Sequence, residues 1–278
     1  MKLAYSTYAL QPFDIFEVVH RVKEIGYEAL ELNVGDDWPT APSKLDGDAR
    51  SRIAEAYEKV GFPSPVLMNL IHLCAEGEDV EAKSVAFGET CQLARDLCFD
   101  DRTPVVTSTL GGQKAGWDEV KSDVADRLVR YASIADDHGV TIAVEAHVGQ
   151  ELDSPEKAVW LVEAVDRPSV RLNFDHSHFH VLEMELQHCL DLCAPYSVHT
   201  HIKDGAMVDG KVQFALPGEG SLDLVEYLTA IEASVLDVPI TVEVSAQFWK
   251  AEGFQAWEVA ERCFRHLSAA RNALPESP

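Results

Sequence analysis

The chain has 278 residues, 46% of them hydrophobic and 25% charged, so it can bury the core of one large domain or two small ones. Its 47 acidic residues outnumber its 23 lysines and arginines, and the formal charge of −24 argues against nucleic acid and anionic membrane surfaces as partners. No stretch has the roughly 18 consecutive apolar residues of a membrane span and no signal peptide is evident, so we expect a cytoplasmic protein.

Short apolar runs alternate with longer amphipathic stretches along the whole chain. This alternation predicts parallel strands joined by crossovers, with helices filling the gaps. Gly26, Gly61 and Gly139 end three helical patterns, and Asp153–Pro155 carries capping residues that begin another. The eight predicted strands are Leu3–Tyr8, Ala29–Val34, Pro65–Ile71, Pro104–Thr109, Thr141–His147, Val170–Asp175, Val198–Lys203 and Pro239–Ser245.

Eight strand–helix units in about 250 residues are the size of a (β/α)₈ TIM barrel. A doubly wound sheet would normally open with a glycine-rich turn, and none follows Tyr8. We therefore predict an α/β fold with a single TIM-barrel domain over residues 1–272 and a frayed tail over 273–278. The six cysteines include no Cys-x-x-Cys pair and are expected to be reduced and buried.

Side chains of opposite character alternate along the last four predicted strands. In the fifth, the aliphatic Ile142 and Val144 alternate with Thr141, Ala143 and Glu145. Because successive side chains face opposite sides of a sheet, the apolar sets can lie under the helices while the other sets point into the barrel. Barrel enzymes place their chemistry at the carboxyl ends of the strands. The inward residues near those ends are Glu145, Asp175, His201 and Glu243.

Three carboxylates that meet inside a barrel repel one another unless a cation neutralises them. Three oxygen donors and one imidazole suit a single divalent ion such as Mn²⁺, Co²⁺, Zn²⁺, Fe²⁺ or Mg²⁺. The spacing also allows a purely ion-paired barrel mouth that holds no metal.

Between Thr141 and Ser245 the chain carries, in order, the segments IAVEAH, LNFDHSHFH, VHTHIKD, LPGEGSLD and ITVEVS. Together they resemble the xylose isomerase-like barrel family of sugar isomerases and epimerases. That group includes ketose 3-epimerases, inosose and hydroxypyruvate isomerases and, more distantly, the endonuclease IV nucleases.

The resemblance implies a role for each strand-end residue. The implied metal ligands are Glu145, Asp175, His201 and Glu243, and the two glutamates are also the implied acid/base pair. His178 matches the family's Asp-x-x-His element and is implied to contact substrate hydroxyls. Lys203 could contact a substrate oxygen or phosphate, or form a salt bridge with a loop carboxylate such as Asp204.

Residues on the second predicted strand and just after the third are also candidates for substrate contact, and three further histidines lie within the motifs. Glu31 and Asn33 have inward parity on the second strand, and His72 follows the third. His199 has the parity to lie one layer deeper, so we expect it to hydrogen-bond a neighbour rather than bind the metal. The roles of His176 and His180 are left open.

Three aromatic residues fall in predicted loops after the second and eighth strands. They are Trp38, Phe248 and Trp249. They could cover the pocket with apolar surface, or pack at a contact between subunits. Many members of the resembling family are dimers or tetramers, so a homo-oligomer is also expected.

The reaction implied by the resemblance is proton transfer next to a carbonyl, through an enediolate that the metal stabilises. The substrate would be a sugar, a sugar phosphate or a hydroxy-keto acid, and both isomerisation and epimerisation fit. Three alternatives stay open: a metal-dependent dehydratase of the dehydroshikimate type, an endonuclease IV-like phosphodiesterase, and a sugar-binding barrel without turnover. The strong negative charge disfavours the phosphodiesterase.

Overall fold

The strands form one closed barrel and one separate hairpin in the computed structural model, which describes residues 1–75, 77 and 79–275. The strands are β1 (Leu3–Ser6), β2 (Ala29–Asn33), β3 (Leu67–Met68), β4 (Val105–Thr109), β5 (Thr141–Glu145), β6 (Val170–Asp175), β7 (Ser197–Ile202), β8 (Asp204–Val208), β9 (Lys211–Ala215) and β10 (Ile240–Val242). The barrel has the order β1-β10-β7-β6-β5-β4-β3-β2, and all its neighbouring pairs are parallel. The predicted (β/α)₈ TIM barrel is confirmed.

Helices follow the barrel strands along the chain. The α-helices are α1 (Ile15–Ile25), α2 (Gly47–Val60), α3 (Val80–Asp96), α4 (Trp117–His138), α5 (Pro155–Val165), α6 (His176–His180), α7 (Leu186–Cys193), α8 (Leu224–Ala233), α9 (Ala246–Trp249) and α10 (Ala256–Asn272). Short 3₁₀ helices span Thr7–Leu10, Pro42–Lys44 and Ala194–Tyr196. No helix in the described part of the chain has the length and apolar character needed to cross a bilayer.

The predicted helix ends are confirmed. Gly26, Gly61 and Gly139 end α1, α2 and α4 with φ values of 118°, 76° and 61°. A side chain at such a φ is strained, so glycine is the favoured residue. Ser154 caps α5 by accepting a hydrogen bond from the Lys157 N–H, and Pro155 opens the helix.

Strand register brings the ends of the barrel strands level. Glu145 on β5 pairs with Asn173 on β6, and Asp175 pairs with His201 on β7. Along the same strands Ile142, Val144 and the other apolar alternates are buried in the hydrophobic core. The acidic residues therefore share the inner face of the barrel at its carboxyl end.

One connection carries more than the predicted helix. Helix α8 lies between β7 and β10 as expected, but an antiparallel hairpin, β8 and β9, precedes it and was not predicted. Its turn residues Asp209 and Gly210 have φ values of 50° and 72°, which suit a tight two-residue hairpin turn. Its strands are largely exposed or half-buried and so lack the buried apolar run that marks a barrel strand in the sequence.

Several predicted strands are too long. The third strand pairs only over Leu67–Met68, because the chain turns immediately afterwards, with the Ile71 N–H bonded to the Asn69 carbonyl and His72 at a φ of 54°. The eighth barrel strand ends at Val242 rather than Ser245, because the Ser245 hydroxyl caps α9.

The chain terminus bears on the predicted domain boundary. Helix α10 ends at Asn272, and residues 273–275 follow it. Residues 276–278 lie outside the described residues, so the frayed tail stays a prediction. All six cysteines are free thiols, five of them buried, in agreement with their predicted reduced form.

Candidate active site

Four side chains meet at the carboxyl end of the barrel on the side of β5, β6, β7 and β10. Oxygen or nitrogen atoms of Glu145, Asp175, His201 and Glu243 all lie within 4.8 Å of one another, and all four residues are buried. This strand-end cluster is the set that strand parity and the family resemblance predicted as metal ligands.

The His201 ring is held from below by Glu31. His201 Nε2 lies 2.8 Å from Glu31 Oε2, while His201 Nδ1 faces the cluster, 2.9 Å from Glu145 Oε2 and 3.5 Å from Glu243 Oε2. A carboxylate behind a histidine fixes its tautomer and orientation, as is typical of metal-binding histidines. Glu31 therefore lies beneath the cluster, away from the pocket where substrate contact was expected.

His199 lies one layer deeper, as its parity predicted. His199 Nε2 lies 2.8 Å from Glu31 Oε2, the same oxygen that His201 Nε2 contacts. The Glu31 carboxylate thus bridges two histidines of β7, and their interactions lower its pKa although burial alone would raise it.

Glu145 is fixed by two side chains of β6 and α6. Asn173 Nδ2 donates to Glu145 Oε2 over 2.7 Å, and His178 Nε2 lies 3.0 Å from Glu145 Oε1. Burial alone would raise the pKa of Glu145, but the hydrogen bonds of His178 and His201 and the charge of Lys203 lower it well below its usual range. Glu145 is therefore an ionised carboxylate, the form that both binds a metal and accepts a proton.

Lys203 is bonded to two members of the cluster. Its ammonium donates to Asp175 Oδ2 and Glu243 Oε2, and the residue is 3% exposed. Lys203 therefore forms a salt bridge, as one predicted alternative had it, but with Asp175 and Glu243 rather than with Asp204. Burial would lower the pKa of Lys203, and the charges of Asp175 and Glu243 raise it instead.

Asp204 organises a loop rather than pairing with Lys203. Its carboxylate accepts hydrogen bonds from the backbone N–H groups of Gly205, Gly220 and Leu222 at 2.7–3.0 Å. Gly220 is required there, because a Cβ would lie 2.2 Å from Asp204 Oδ1. This contact joins the segments VHTHIKD and LPGEGSLD in the fold.

Two rings contact the His178 imidazole. The His147 ring centroid is 3.9 Å away, and Phe214 of the hairpin meets His178 edge-on at 5.5 Å. His178 is fully buried, so in this arrangement it contacts Glu145 and Asp175 rather than the open pocket.

An open pocket of about 850 Å³ adjoins the cluster on the side of β1, β2 and β3. Tyr8, Trp38 and Trp249 line it as an aromatic wall, with Tyr8 stacked on Trp38 at 5.6 Å and edge-on to Trp249 at 5.2 Å. Tyr8 links the open pocket to the strand-end cluster. Burial, together with the nearby charge of Glu243, raises the pKa of Tyr8 to about 12. Its phenol is therefore neutral beside the cluster.

Polar side chains complete the pocket. Asn33, Asn69 and His72 line it, and His72 Nδ1 lies 2.8 Å from Thr109 Oγ1. A Cβ on Gly111 would approach His72 Cβ to 2.8 Å, so this glycine lets the His72 loop pack closely. Among the residues proposed for substrate contact, Asn33 and His72 are thus the two that face the pocket.

The remaining candidates lie away from the pocket or at its edge. His176 is buried, with its ring stacked 6.3 Å from Tyr227, and burial lowers its pKa to about 4. His180 Nε2 bonds the Ser221 hydroxyl at 2.9 Å. Phe248 packs against the hydrophobic core, whereas Trp38 and Trp249 line the pocket.

Three residues of the site were not singled out from the sequence. Asn173 shares the parity of Asp175, and His147 shares that of Glu145, so strand alternation contained a signal for both. Tyr8 ends the predicted first strand, but it lies in a 3₁₀ helix after β1, where strand parity does not give the direction of its side chain.

A parallel eight-stranded barrel with buried carboxylates and a histidine at its carboxyl end has the architecture of TIM-barrel enzymes. The family model for the xylose isomerase-like TIM barrel matches residues 19–263. The chain belongs to this family.

Individual relatives are similar in sequence or in fold. The inosose isomerase of Bacillus velezensis is 24% identical over 258 residues, covering 88% of each chain. The probable 3-DHS dehydratase AsbF of Bacillus anthracis has a TM-score of 0.79 at 15% identity, covering 96% of this chain and 99% of that one. The IolI protein, whose crystal structure contains a bound zinc atom, has a TM-score of 0.76 at 21% identity, covering 97% and 99%.

Proposed function

We propose that this protein is an isomerase or epimerase of a small polyhydroxy ketone, dependent on one divalent metal ion. The observation that carries the proposal is the convergence of Glu145 and Glu243 with Asp175 and His201 within 4.8 Å in a buried site. The similarity to an inosose isomerase supports a sugar or cyclitol ketone as substrate. A hydroxy-keto acid or sugar phosphate has the same reacting group and remains in the proposed substrate class.

The four cluster residues fit a divalent cation. Three carboxylates supply hard oxygen donors and His201 supplies Nδ1, with its other nitrogen fixed by Glu31. Mn²⁺, Co²⁺, Zn²⁺, Fe²⁺ and Mg²⁺ all suit this set, and the zinc atom in the IolI crystal structure supports a metal in this type of barrel. When bound, the cation would polarise the substrate carbonyl and acidify the neighbouring C–H group.

The glutamates carry the proton transfer in this proposal. One of Glu145 and Glu243, as the carboxylate, takes the proton from the carbon beside the carbonyl, which leaves an enediolate, and the other, as the carboxylic acid, gives its proton to carbon. Proton exchange with water then restores the pair. Return to the opposite face of the same carbon is epimerisation, and return to the neighbouring carbon is isomerisation. Asn173 and His178 hold Glu145 in one orientation, which limits the motion needed during transfer.

The open pocket is suited to the rest of the substrate. Tyr8, Trp38 and Trp249 offer apolar ring surface for C–H groups, and Asn33 and His72 offer hydrogen bonds to hydroxyls. Nucleic acid is not a proposed partner, because the chain carries a formal charge of −24. A homo-oligomer remains a prediction.

Solvent deuterium exchange tests the reaction. The purified protein is analysed for metal and then incubated in D₂O with a panel of ketoses, inososes and small keto acids, and loss of C–H signals is followed by NMR. We expect exchange next to the carbonyl of at least one compound. Glu243→Gln should lower the rate at least about 100-fold, since it removes a general acid/base group.

The matched control is Glu226→Gln on the exposed side of α8, which should keep the wild-type rate. Unchanged exchange in Glu243→Gln would remove this glutamate from the acid/base pair. Absence of exchange across the whole panel would contradict the proposed reaction class.

A dehydratase is the second candidate, favoured by the position of His147. Its Nδ1 lies 2.6 Å from the Val148 carbonyl, so this nitrogen carries the hydrogen and Nε2 keeps its lone pair. Burial, followed by the charge of His178, lowers the pKa of His147 to about 4, so the ring is a neutral base near Glu145. In this candidate reaction His147 Nε2 would take the proton from the carbon beside the carbonyl and pass it to the β-hydroxyl, which leaves as water. The product would be a conjugated enone, detectable by ultraviolet absorbance.

A further inference from the structure

Lys203 is the cation that the described residues place inside the strand-end cluster. It follows β7 with the same parity as His199 and His201, so its side chain points into the barrel. The Ser177 hydroxyl holds its backbone from both sides, donating to the Lys203 carbonyl at 2.9 Å and accepting from its N–H at 2.8 Å. The lysine is therefore anchored at its main chain, while its ammonium reaches the carboxylates.

The ammonium bonds two of the three carboxylates that would hold the metal. Asp175 Oδ2 and Glu243 Oε2 receive Lys203 Nζ, and both residues belong to the four that converge within 4.8 Å. An ammonium ion and a divalent cation held by the same two carboxylates would lie close together in a buried site, where like charges repel strongly. The two cations are therefore alternatives.

We propose that Lys203 is a built-in competitor of the metal, whose ammonium must leave Asp175 and Glu243 when a divalent cation binds. This inference rests on the proposed function in that it takes the cluster as the metal site. Two consequences follow from it. The protein retains a counter-ion for its buried carboxylates without metal, and the site binds metal more weakly than its donors alone would allow.

The exchange also repositions the lysine for substrate. The Phe214 ring lies 5.6 Å from Lys203 Nζ, so the hairpin bounds one side of the space around the ammonium. Once displaced from the carboxylates, the charged end of Lys203 is free to pair with a substrate oxygen. Metal binding and the predicted substrate contact of Lys203 are thereby coupled.

Metal titration of charge variants tests the competition. Stripped wild type, Lys203→Met and Lys203→Arg are titrated with Mn²⁺, with free Mn²⁺ followed by electron paramagnetic resonance, and thermal unfolding is recorded with and without the ion. We expect Lys203→Met to bind Mn²⁺ at least about tenfold more tightly, which corresponds to about 1.4 kcal/mol. Its Tm without metal should fall below wild type, and its gain on adding Mn²⁺ should be larger.

Two variants serve as controls. Lys203→Arg keeps the positive charge, so its affinity for Mn²⁺ should stay within about threefold of wild type. That difference is smaller than the tenfold change, about 1.4 kcal/mol, expected for Lys203→Met. Lys211→Met removes an exposed lysine of β9 and should match wild type in both measurements. If stripped Lys203→Met does not fold, Lys203→Gln, which retains a hydrogen-bond donor, takes its place in the titration.

The outcomes separate this inference from the proposed function. Equal or weaker Mn²⁺ binding by Lys203→Met or Lys203→Gln would overturn the competition and leave the proposed reaction standing. Failure of wild type and all variants to bind Mn²⁺ would overturn both. Tighter binding by the neutral variant, together with no deuterium exchange in any ketone, would support the competition and contradict the proposed reaction.

Discussion

The two sides of the barrel mouth are built in different ways. On the side of β5, β6, β7 and β10, buried charged groups contact one another directly, and each of the four cluster residues has a fixed partner. On the side of β1, β2 and β3, an open pocket is lined by aromatic rings and amides on loops. In the proposed function, the closed side carries the chemistry and the open side selects the substrate.

Asp175→Asn is the largest expected disruption of the closed side. Asp175 is a proposed metal ligand and a partner of Lys203, and its Oδ1 also accepts the Ser177 N–H at 2.9 Å. An asparagine can still accept that N–H but lacks the charge. We expect Mn²⁺ affinity to fall at least about 100-fold. The loss of a direct ligand should cost more than the roughly 10–100-fold typical of losing a residue that only hydrogen-bonds a ligand. Mn²⁺ binding unchanged from wild type would remove Asp175 from the ligand set.

Glu31→Gln tests the support beneath the closed side. The amide oxygen can still accept from both His199 and His201, but it carries no negative charge, so it holds the His201 ring more weakly than the carboxylate does. Metal affinity should fall about 10–100-fold while the fold is retained, measured by the same titration with circular dichroism as a check. A substrate-binding role for Glu31 would instead raise KM and leave metal affinity unchanged.

Asp204→Ala tests the loop that borders the closed side. The change leaves the N–H groups of Gly205, Gly220 and Leu222 without their carboxylate acceptor. We expect a loss of about 2 kcal/mol in the free energy of unfolding in urea. Asp126→Ala, on an exposed position of α4, should cost no more than about 0.5 kcal/mol. Equal losses in the two variants would deny Asp204 its structural role.

Trp38→Ala should have the smallest effect, and we expect it to change substrate binding alone. Trp38 lines the open pocket and stacks on Tyr8, away from the glutamates proposed to transfer the proton. We expect KM to rise about tenfold with kcat nearly unchanged, as for removal of uniform binding. Trp160→Ala, in the Trp117 contact outside the pocket, should leave KM unaltered. A large fall in kcat for Trp38→Ala would break the division between the two sides.

The sequence predicts the closed side well because its signal is local. Parity places Glu145 and Asp175 on one face, and a parallel barrel aligns the strand ends, so convergence follows from rules that involve few residues at a time. The partners of these residues are harder to predict. The bond from Lys203 to Glu243 joins residues 40 positions apart, and nothing near Lys203 in sequence favours Glu243 over Asp204.

The open side depends on loops, which the sequence predicts less well. Tyr8, Trp38 and Trp249 come from three separate connections, and Trp249 reaches Tyr8 only when the barrel closes between β1 and β10. The hairpin that brings Phe214 to His178 was missed for a related reason. Its strands pair only with each other and are half exposed, so they lack the buried apolar run that marks a barrel strand.

The most direct test of the account follows deuterium exchange while metal is returned to the stripped protein. With a ketone substrate from the panel, stripped protein in D₂O is titrated with Mn²⁺, and the exchange rate is plotted against bound metal per chain. We predict negligible exchange without metal and a linear rise that ends at one ion per chain. Full exchange by the stripped protein, or exchange unrelated to bound metal, would contradict the assignment of a metal-dependent proton transfer to the closed side of the barrel.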